Sequence, residues 1–310
     1  MSTVLFSHPA CLGHDTGPGH PERPDRIRAV LHALEAEEFA LLLREEAPEA
    51  APDVLALAHP RSYVDSILSI RPEPDERLML DGDTVMSHGS RAAALRAAGA
   101  AIAAVDAVME GGARNAFCAV RPPGHHAEAA RPMGFCLFAN AAIAAHHARA
   151  KWGAQRVAVL DFDVHHGNGT QAILEGDADF FYASTHEMPL FPGTGHPHER
   201  GVANNVLNVA LPPMSGGPEF RAAWGDTIIP AVEAFGPALI IVSAGFDAHR
   251  RDPLASLNVT TADFSWLSQE LVALADRACG GKLVSLLEGG YDLEGLATSA
   301  AAHVRALMRV

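Results

Sequence analysis

Seven short apolar stretches, rich in β-branched and aromatic residues, punctuate the chain. They are residues 3–8 (TVLFSH), 115–120 (NAFCAV), 156–163 (RVAVLDFD), 179–185 (DFFYAST), 206–211 (VLNVAL), 238–245 (ALIIVSAG) and 282–290 (KLVSLLEGG). Most are continuous rather than alternating, as strands buried on both faces are. Helical patterns lie between them, at 24–38, 87–112, 140–153, 218–236, 261–281 and 292–309. The first opens on Pro24 and Asp25, which suit a helix start, and the Ala-rich second runs into glycines that stop it. This alternation predicts an α/β fold with three layers, α/β/α, around a mainly parallel central sheet. Residues 71–83 (RPEPDERLMLDGD) read as a surface loop, and no repeat, low-complexity tract or linker divides the chain. The expectation is one domain over residues 1–310.

Composition narrows the class. Of 310 residues, 48% are hydrophobic and 19% charged, enough for a large core. No run approaches the ~18 consecutive apolar residues of a membrane span, so no membrane partner is expected. The first fifteen residues lack the basic and apolar regions of a signal peptide. A net charge of −14 argues against nucleic-acid binding through the bulk surface. Cys11, Cys118, Cys136 and Cys279 are far apart and form no CxxC pair, which excludes a disulfide framework and a thiolate zinc site. A reducing, cytoplasmic location follows as the simplest expectation. The pattern carries no signal of oligomeric state.

The chemistry gathers after the strands. Five polar, Gly-rich segments follow them: 121–136 (RPPGHHAEAARPMGFC), 161–170 (DFDVHHGNGT), 184–195 (STHEMPLFPGTG), 243–253 (SAGFDAHRRDP) and 288–292 (EGGYD). Open α/β sheets place their sites at these carboxyl ends. A catalytic zinc takes three protein ligands and leaves one position open. Asp163, His165 and Asp247 can supply them, with Asp163 and His165 pointing the same way if the strand persists. The alternative is that Asp163 and His165 bond only to the backbone of their loop. In the tandem His125–His126 one imidazole can serve as a general base, with Asp161 behind it as an orienting carboxylate. Tyr291 would project from the rim and could donate to an oxyanion. His146–His147, inside an Ala-rich helix, read as surface histidines, and His166 as a residue that packs or bonds behind the site.

Together these segments, with HPERPDRI (20–27), resemble the zinc-dependent histone deacetylase family, including its bacterial amidohydrolase and acetylpolyamine members. The resemblance spans nearly the whole chain and implies an arginase-like α/β fold. It implies one zinc per chain on Asp163, His165 and Asp247. It also implies His126 as general base, His125 backed by Asp161, and Tyr291 as the catalytic tyrosine. Gly134, Phe135, Phe191 and Leu254 match the walls of an acyl-lysine tunnel, Asp83 its rim, and Arg26 an arginine at its foot. Asp161, Ser184 and Thr185, with main-chain carbonyls, match a structural potassium site. Asn168 stands where class I members carry aspartate, a class II trait that leaves His126 less basic.

The implied reaction is hydrolysis of an acetylated lysine or similar acetylated amine by metal-activated water. Acetylpolyamines or other small amides are the alternative substrates. Two readings of other kinds stand beside it: a two-manganese ureohydrolase on the same fold, and a non-catalytic acyl-lysine binder.

Overall fold

Successive side chains of β6 (Val157–Asp161) enter opposite cores: Val157 and Val159 one apolar cluster, Ala158 and Leu160 another. The same alternation holds for Ala116 and Phe117, for Ile241 and Val242, and for Val284 and Leu283. A sheet covered on both faces needs apolar residues at every position, hence the continuous runs.

The computed structural model describes residues 2–309. Its main sheet adds to β6 the strands β1 (Thr3–Ser7), β2 (Leu43–Glu46), β5 (Asn115–Cys118), β7 (Phe180–Glu187), β8 (Val206–Leu211), β9 (Leu239–Ala244) and β10 (Leu283–Leu287). The order is β2-β1-β5-β10-β9-β6-β7-β8, and every pairing is parallel. One face is covered mainly by α4 (Ser90–Met109) and α5 (Asn140–Trp152), the other by α9 (Thr261–Cys279) and α10 (Leu293–Met308), with α1 (Asp25–Ala33) packed on α10. These are the three layers expected.

Some local structure departs from the pattern. Residues 71–83 are not all loop: β3 (Arg77–Met79) pairs antiparallel with β4 (Val85–Ser87) in a separate hairpin. Leu43-Arg44-Glu45-Glu46 forms an edge strand with all four residues exposed, so no apolar alternation marks it. The shorter helices include α2 (Pro52–Leu55), α3 (Arg61–Ser69) and α6 (Asn168–Leu174). The helix expected at 218–236 holds one π turn, Ala223–Ile228, between α7 (Gly217–Ala222) and α8 (Ile229–Phe235). Pro230, which has no N–H to give, follows that turn. By length and mean hydropathy (1.6) α4 is apolar enough to cross a membrane, but 61% of that stretch is buried within this fold.

His147 is not a surface residue, and His146 is half-buried. His147 is buried, with Nε2 2.8 Å from Asp106 Oδ1, and this pair joins α5 to α4. His146 packs edge-on against Phe180, centroids 4.7 Å apart.

Candidate active site

Four neighbouring central strands, β5, β10, β9 and β6, end at one place, and the polar segments that follow them meet there. β6 stops at Asp161, so Asp163 and His165 are not presented by strand periodicity as expected. Side-chain bonds to the main chain hold the bend instead. Asp161 Oδ1 accepts from Asp163 N (3.1 Å), Asp163 Oδ1 from His165 N (2.9 Å), and Asp247 Oδ1 from Val164 N (2.8 Å). Gly289 N donates to Asp163 Oδ2 at 2.8 Å, which ties in the segment after β10.

Asp163, His165 and Asp247 offer three ligand atoms within 4.8 Å of one another, all from buried residues. The main-chain bonds anticipated as the alternative for Asp163 and His165 are also present, but they orient the triad rather than replace it. Among the described residues Asp247 Oδ2 has no hydrogen-bond partner, although His165 Nδ1, which also lies 3.1 Å from Asp163 Oδ1, is 3.2 Å away. A buried carboxylate oxygen left so is costly unless a cation meets it. Two glycines make the room: a Cβ on Gly245 would lie 2.0 Å from Asp163 Oδ2, and one on Gly289 would lie 2.0 Å from Asp247 Oδ2. Burial and the charge of Asp163 push Asp247 up to about 7. His165, although burial opposes it, is pushed up to about 10 by Asp163 and Asp247. The pocket concentrates negative charge, and two carboxylates with one imidazole are a donor set that suits a divalent metal.

The tandem histidines sit beside the triad. His125 Nδ1 donates to Asp161 Oδ2 at 3.0 Å, and its Nε2 lies 3.8 Å from Asp163 Oδ1. Burial would lower His125, but Asp163 and Asp161 push it up to about 10. His126 Nδ1 lies 2.9 Å from Asn168 Oδ1, while Asn168 Nδ2 donates to Glu128 Oε1 at 2.9 Å. The Glu128 carboxylate only accepts, so it turns the amide and leaves its oxygen facing His126. Nδ1 of His126 therefore carries the proton, and Nε2 keeps its lone pair. Burial, with the positive charges of His125 and His165, holds His126 well below the usual histidine range. Equivalent in sequence, the two histidines are thus opposite in proton affinity.

A cavity of about 250 Å³ is lined by His126 and His165 together with Asp83, Gly134, Phe135, Leu190, Phe191, Leu254 and Tyr291. Gly134, Phe135, Phe191, Leu254 and Asp83 thus lie around one cavity, and Leu190 lines it as well. Phe191 is 43% exposed, and its ring meets His126 edge-on at 5.1 Å. Gly134 has φ 55°, and a Cβ there would lie 2.5 Å from His126 Cδ2, so the wall can approach the histidine only as glycine. The hairpin supplies another wall: Thr84 Oγ1 accepts from Phe135 N at 3.1 Å, and Asp83 precedes it.

Tyr291 is part of the cavity lining and only partly exposed, rather than projecting from the rim. Asp252 Oδ2 accepts from its N–H at 2.7 Å. The Arg26 guanidinium lies 4.8 Å from its ring centroid and donates through Nε to Gly290 O at 2.6 Å. Burial raises the phenol well above its usual range, so it stays a donor at neutral pH. Arg26 belongs to a buried cluster: Glu22 takes Arg26 Nη1 at 3.0 Å and Arg121 Nε at 2.5 Å. Glu22 and Arg26 both stand in HPERPDRI, but Glu22 precedes α1, so helical spacing alone does not pair them.

The residues matched to potassium are only partly together. Asp161 and Ser184 are register partners across β6 and β7. The Thr185 hydroxyl, by contrast, is turned to Trp224, whose indole N–H donates to it at 3.1 Å. His166 bonds Thr194 Oγ1 and Gln171 Oε1, each at 2.8 Å, in keeping with a place behind the site.

Comparison with known proteins agrees in sequence and in shape. The family model described as "Histone deacetylase domain" matches residues 20–307. The "Histone deacetylase-like amidohydrolase" of Pseudomonas aeruginosa is 37% identical, over 94% of this chain and 82% of its own. A "Probable deacetylase" of Archaeoglobus fulgidus is 38% identical, over 95% of this chain and 83% of its own. Among solved structures, the HD domain of HDA15 superposes with a TM-score of 0.92 at 36% identity, covering 99% of this chain and 88% of that one.

Proposed function

The chain belongs to the histone deacetylase family and has its deacetylase or amidohydrolase activity, and from that premise we propose that it is zinc-dependent and removes acetyl or short acyl groups from lysine side chains or similar amines. One observation carries the reading: His165 of the Asp163–His165–Asp247 triad, His126 with its free Nε2, and Tyr291 all line one cavity with apolar walls.

Phe135, Leu190, Phe191 and Leu254 would sheathe an extended aliphatic chain, and the Asp83 carboxylate would accept an N–H from the substrate. Asp163, His165 and Asp247 would hold the metal. The cation would act as a Lewis acid toward the amide carbonyl and bring the pKa of water within reach of neutral pH. His126 Nε2 takes the proton of the attacking water, and Asn168 keeps that nitrogen unprotonated beforehand. The Tyr291 hydroxyl donates to the carbonyl oxygen as charge develops on it. His126 then gives its proton to the leaving nitrogen, so the products are a short carboxylate and a free amine. Asp161 holds His125 in place, and with Ser184 and main-chain oxygens it is proposed to hold a structural potassium ion.

The test is turnover on a panel of acetyl-lysine peptides and acetylpolyamines, before and after chelation, with metal counted per chain. Loss on chelation and recovery with one zinc per chain is the expected result. Two manganese ions per chain with hydrolysis of a guanidino substrate would establish the ureohydrolase reading instead. Binding without turnover would establish the acyl-lysine binder.

A further inference from the structure

Glu288 is a carboxyl residue that the reaction just described does not use, yet it is 1% exposed in the centre of the fold. It is the first residue after β10. Its Oε2 accepts from two consecutive main-chain donors, Gly124 N at 2.6 Å and His125 N at 3.2 Å. Its Oε1 accepts from Ser243 Oγ, on β9, at 3.2 Å. A single side chain therefore joins the ends of β5, β9 and β10. The other end of the His125 peptide is held too: His125 O accepts from Gly169 N at 3.0 Å and Thr170 N at 3.1 Å, in the first turn of α6. Gly124 is packed closely against the start of α5: a Cβ there would lie 2.6 Å from Asn140 N.

The arrangement has a chemical consequence. Two buried N–H groups in succession must find acceptors or pay the desolvation cost of staying unmet. Glu288 is the acceptor for both, so it fixes the plane of the 124–125 peptide, and with it the directions in which His125 and His126 leave the chain. We propose that Glu288 is a positioning residue for the deacetylation reaction: it sets the aim of the tandem histidines through their main chain, with Ser243 holding its own carboxylate in place. It touches neither substrate nor reacting atoms. The proposal rests on the deacetylase reading above, in which His126 moves the proton.

The test compares Glu288→Gln with Glu288→Met. Both keep the volume, but only glutamine keeps an oxygen for the two N–H groups. In Glu288→Met the rate constant kcat on an acetyl-lysine peptide is expected to fall ~10–100-fold with KM changed less than about threefold, because misdirected groups of this kind cost about that much. Glu288→Gln is expected to restore kcat to within about threefold of wild type, since its amide oxygen can still accept. Rates are taken per folded, metal-loaded chain. Equal kcat for the methionine and glutamine variants would overturn the proposal, and so would a methionine variant whose only defect is a lower Tm. If Glu288→Met does not fold, Ser243→Ala decides: it leaves the acid but frees its other oxygen, and a several-fold loss of kcat supports the role while none overturns it. Absence of turnover in the wild-type protein would count against the deacetylase reading itself, a different outcome from either of these.

Discussion

His126 donates its Nδ1 proton to Asn168 Oδ1 at 2.9 Å, and Asn168 is held in that orientation by Glu128. The pair makes His126 a neutral acceptor toward the cavity, where a carboxylate at position 168 would favour the imidazolium. Asn168→Asp is therefore expected to raise the His126 pKa. A base with a higher pKa stays protonated, and inactive, up to higher pH. The acid limb of the kcat/KM profile should move upward by about one unit or more, since an opposite charge at this range shifts a pKa by about one to three. A pH–rate profile of the variant beside wild type measures it, and a limb that stays put or moves down would refute the assigned tautomer.

Tyr291 owes its place to Asp252, which takes its N–H, and to Arg26, which lies over its ring. Its phenol is raised well above the usual range by burial, so it is a donor across the working pH range and produces no alkaline limb of its own. Tyr291→Phe keeps the ring against Phe135 and Arg26 and removes only the hydroxyl. The expected result is a loss of ~10²–10³ in kcat, the usual size for one missing oxyanion donor, with metal content unchanged. Undiminished kcat would remove Tyr291 from the mechanism.

What the sequence could and could not disclose follows from how each group is held. Asp163, His165, Asp247, His125, His126 and Tyr291 were legible because unusual residue types recur after apolar strands, where a parallel sheet collects its sites. The hairpin of β3 and β4 was not, because three-residue strands amid prolines and charges show no period. With it went the role of Thr84 in bonding Phe135. The bend at 161–165 is hidden in the sequence, since Phe162 and Val164 extend the apolar alternation while the ladder ends at Asp161. Nothing local in EGGYD shows that the Glu288 acid meets main-chain donors more than one hundred and sixty residues away.

Among the described residues Asp247 Oδ2 is the triad oxygen with no hydrogen-bond partner, so a cation is the contact that would complete it. Asp247→Asn keeps the shape and the bond from Val164 N but halves the carboxylate charge of the triad. Metal per chain, measured by elemental analysis after dialysis, is expected to fall from about one to well below one half, and turnover to fall at least ~100-fold, since loss of a ligand removes the Lewis acid with it. Thermal unfolding gives a second readout: a chelator should lower the Tm of wild type more than that of the variant, because a ligand that binds only the folded state stabilises it. A variant that keeps one metal per chain would exclude Asp247 from the ligand set.

Glu22 gives the protein a sensitivity to acid that has nothing to do with the metal. It is fully buried with two guanidinium groups, Arg26 and Arg121, and His14 Nε2 lies 3.4 Å away. Burial alone would raise its pKa, but Arg121, His14 and Arg26 lower it from 4.5 to about 2. A carboxyl depressed in the folded state contributes stability that is complete above its unfolded pKa and is lost as pH falls through the folded one. The contribution of Glu22 should thus be intact at neutral pH, begin to fade near 4.5 and be gone near 2. Glu22→Gln is expected to cost about 3–5 kcal/mol at pH 7, because it strands two buried cations. Near pH 3 the gap between variant and wild type should narrow. Denaturant unfolding at both pH values measures the two gaps, and a variant deficit that grows as pH falls would contradict the ionised Glu22 on which the prediction stands.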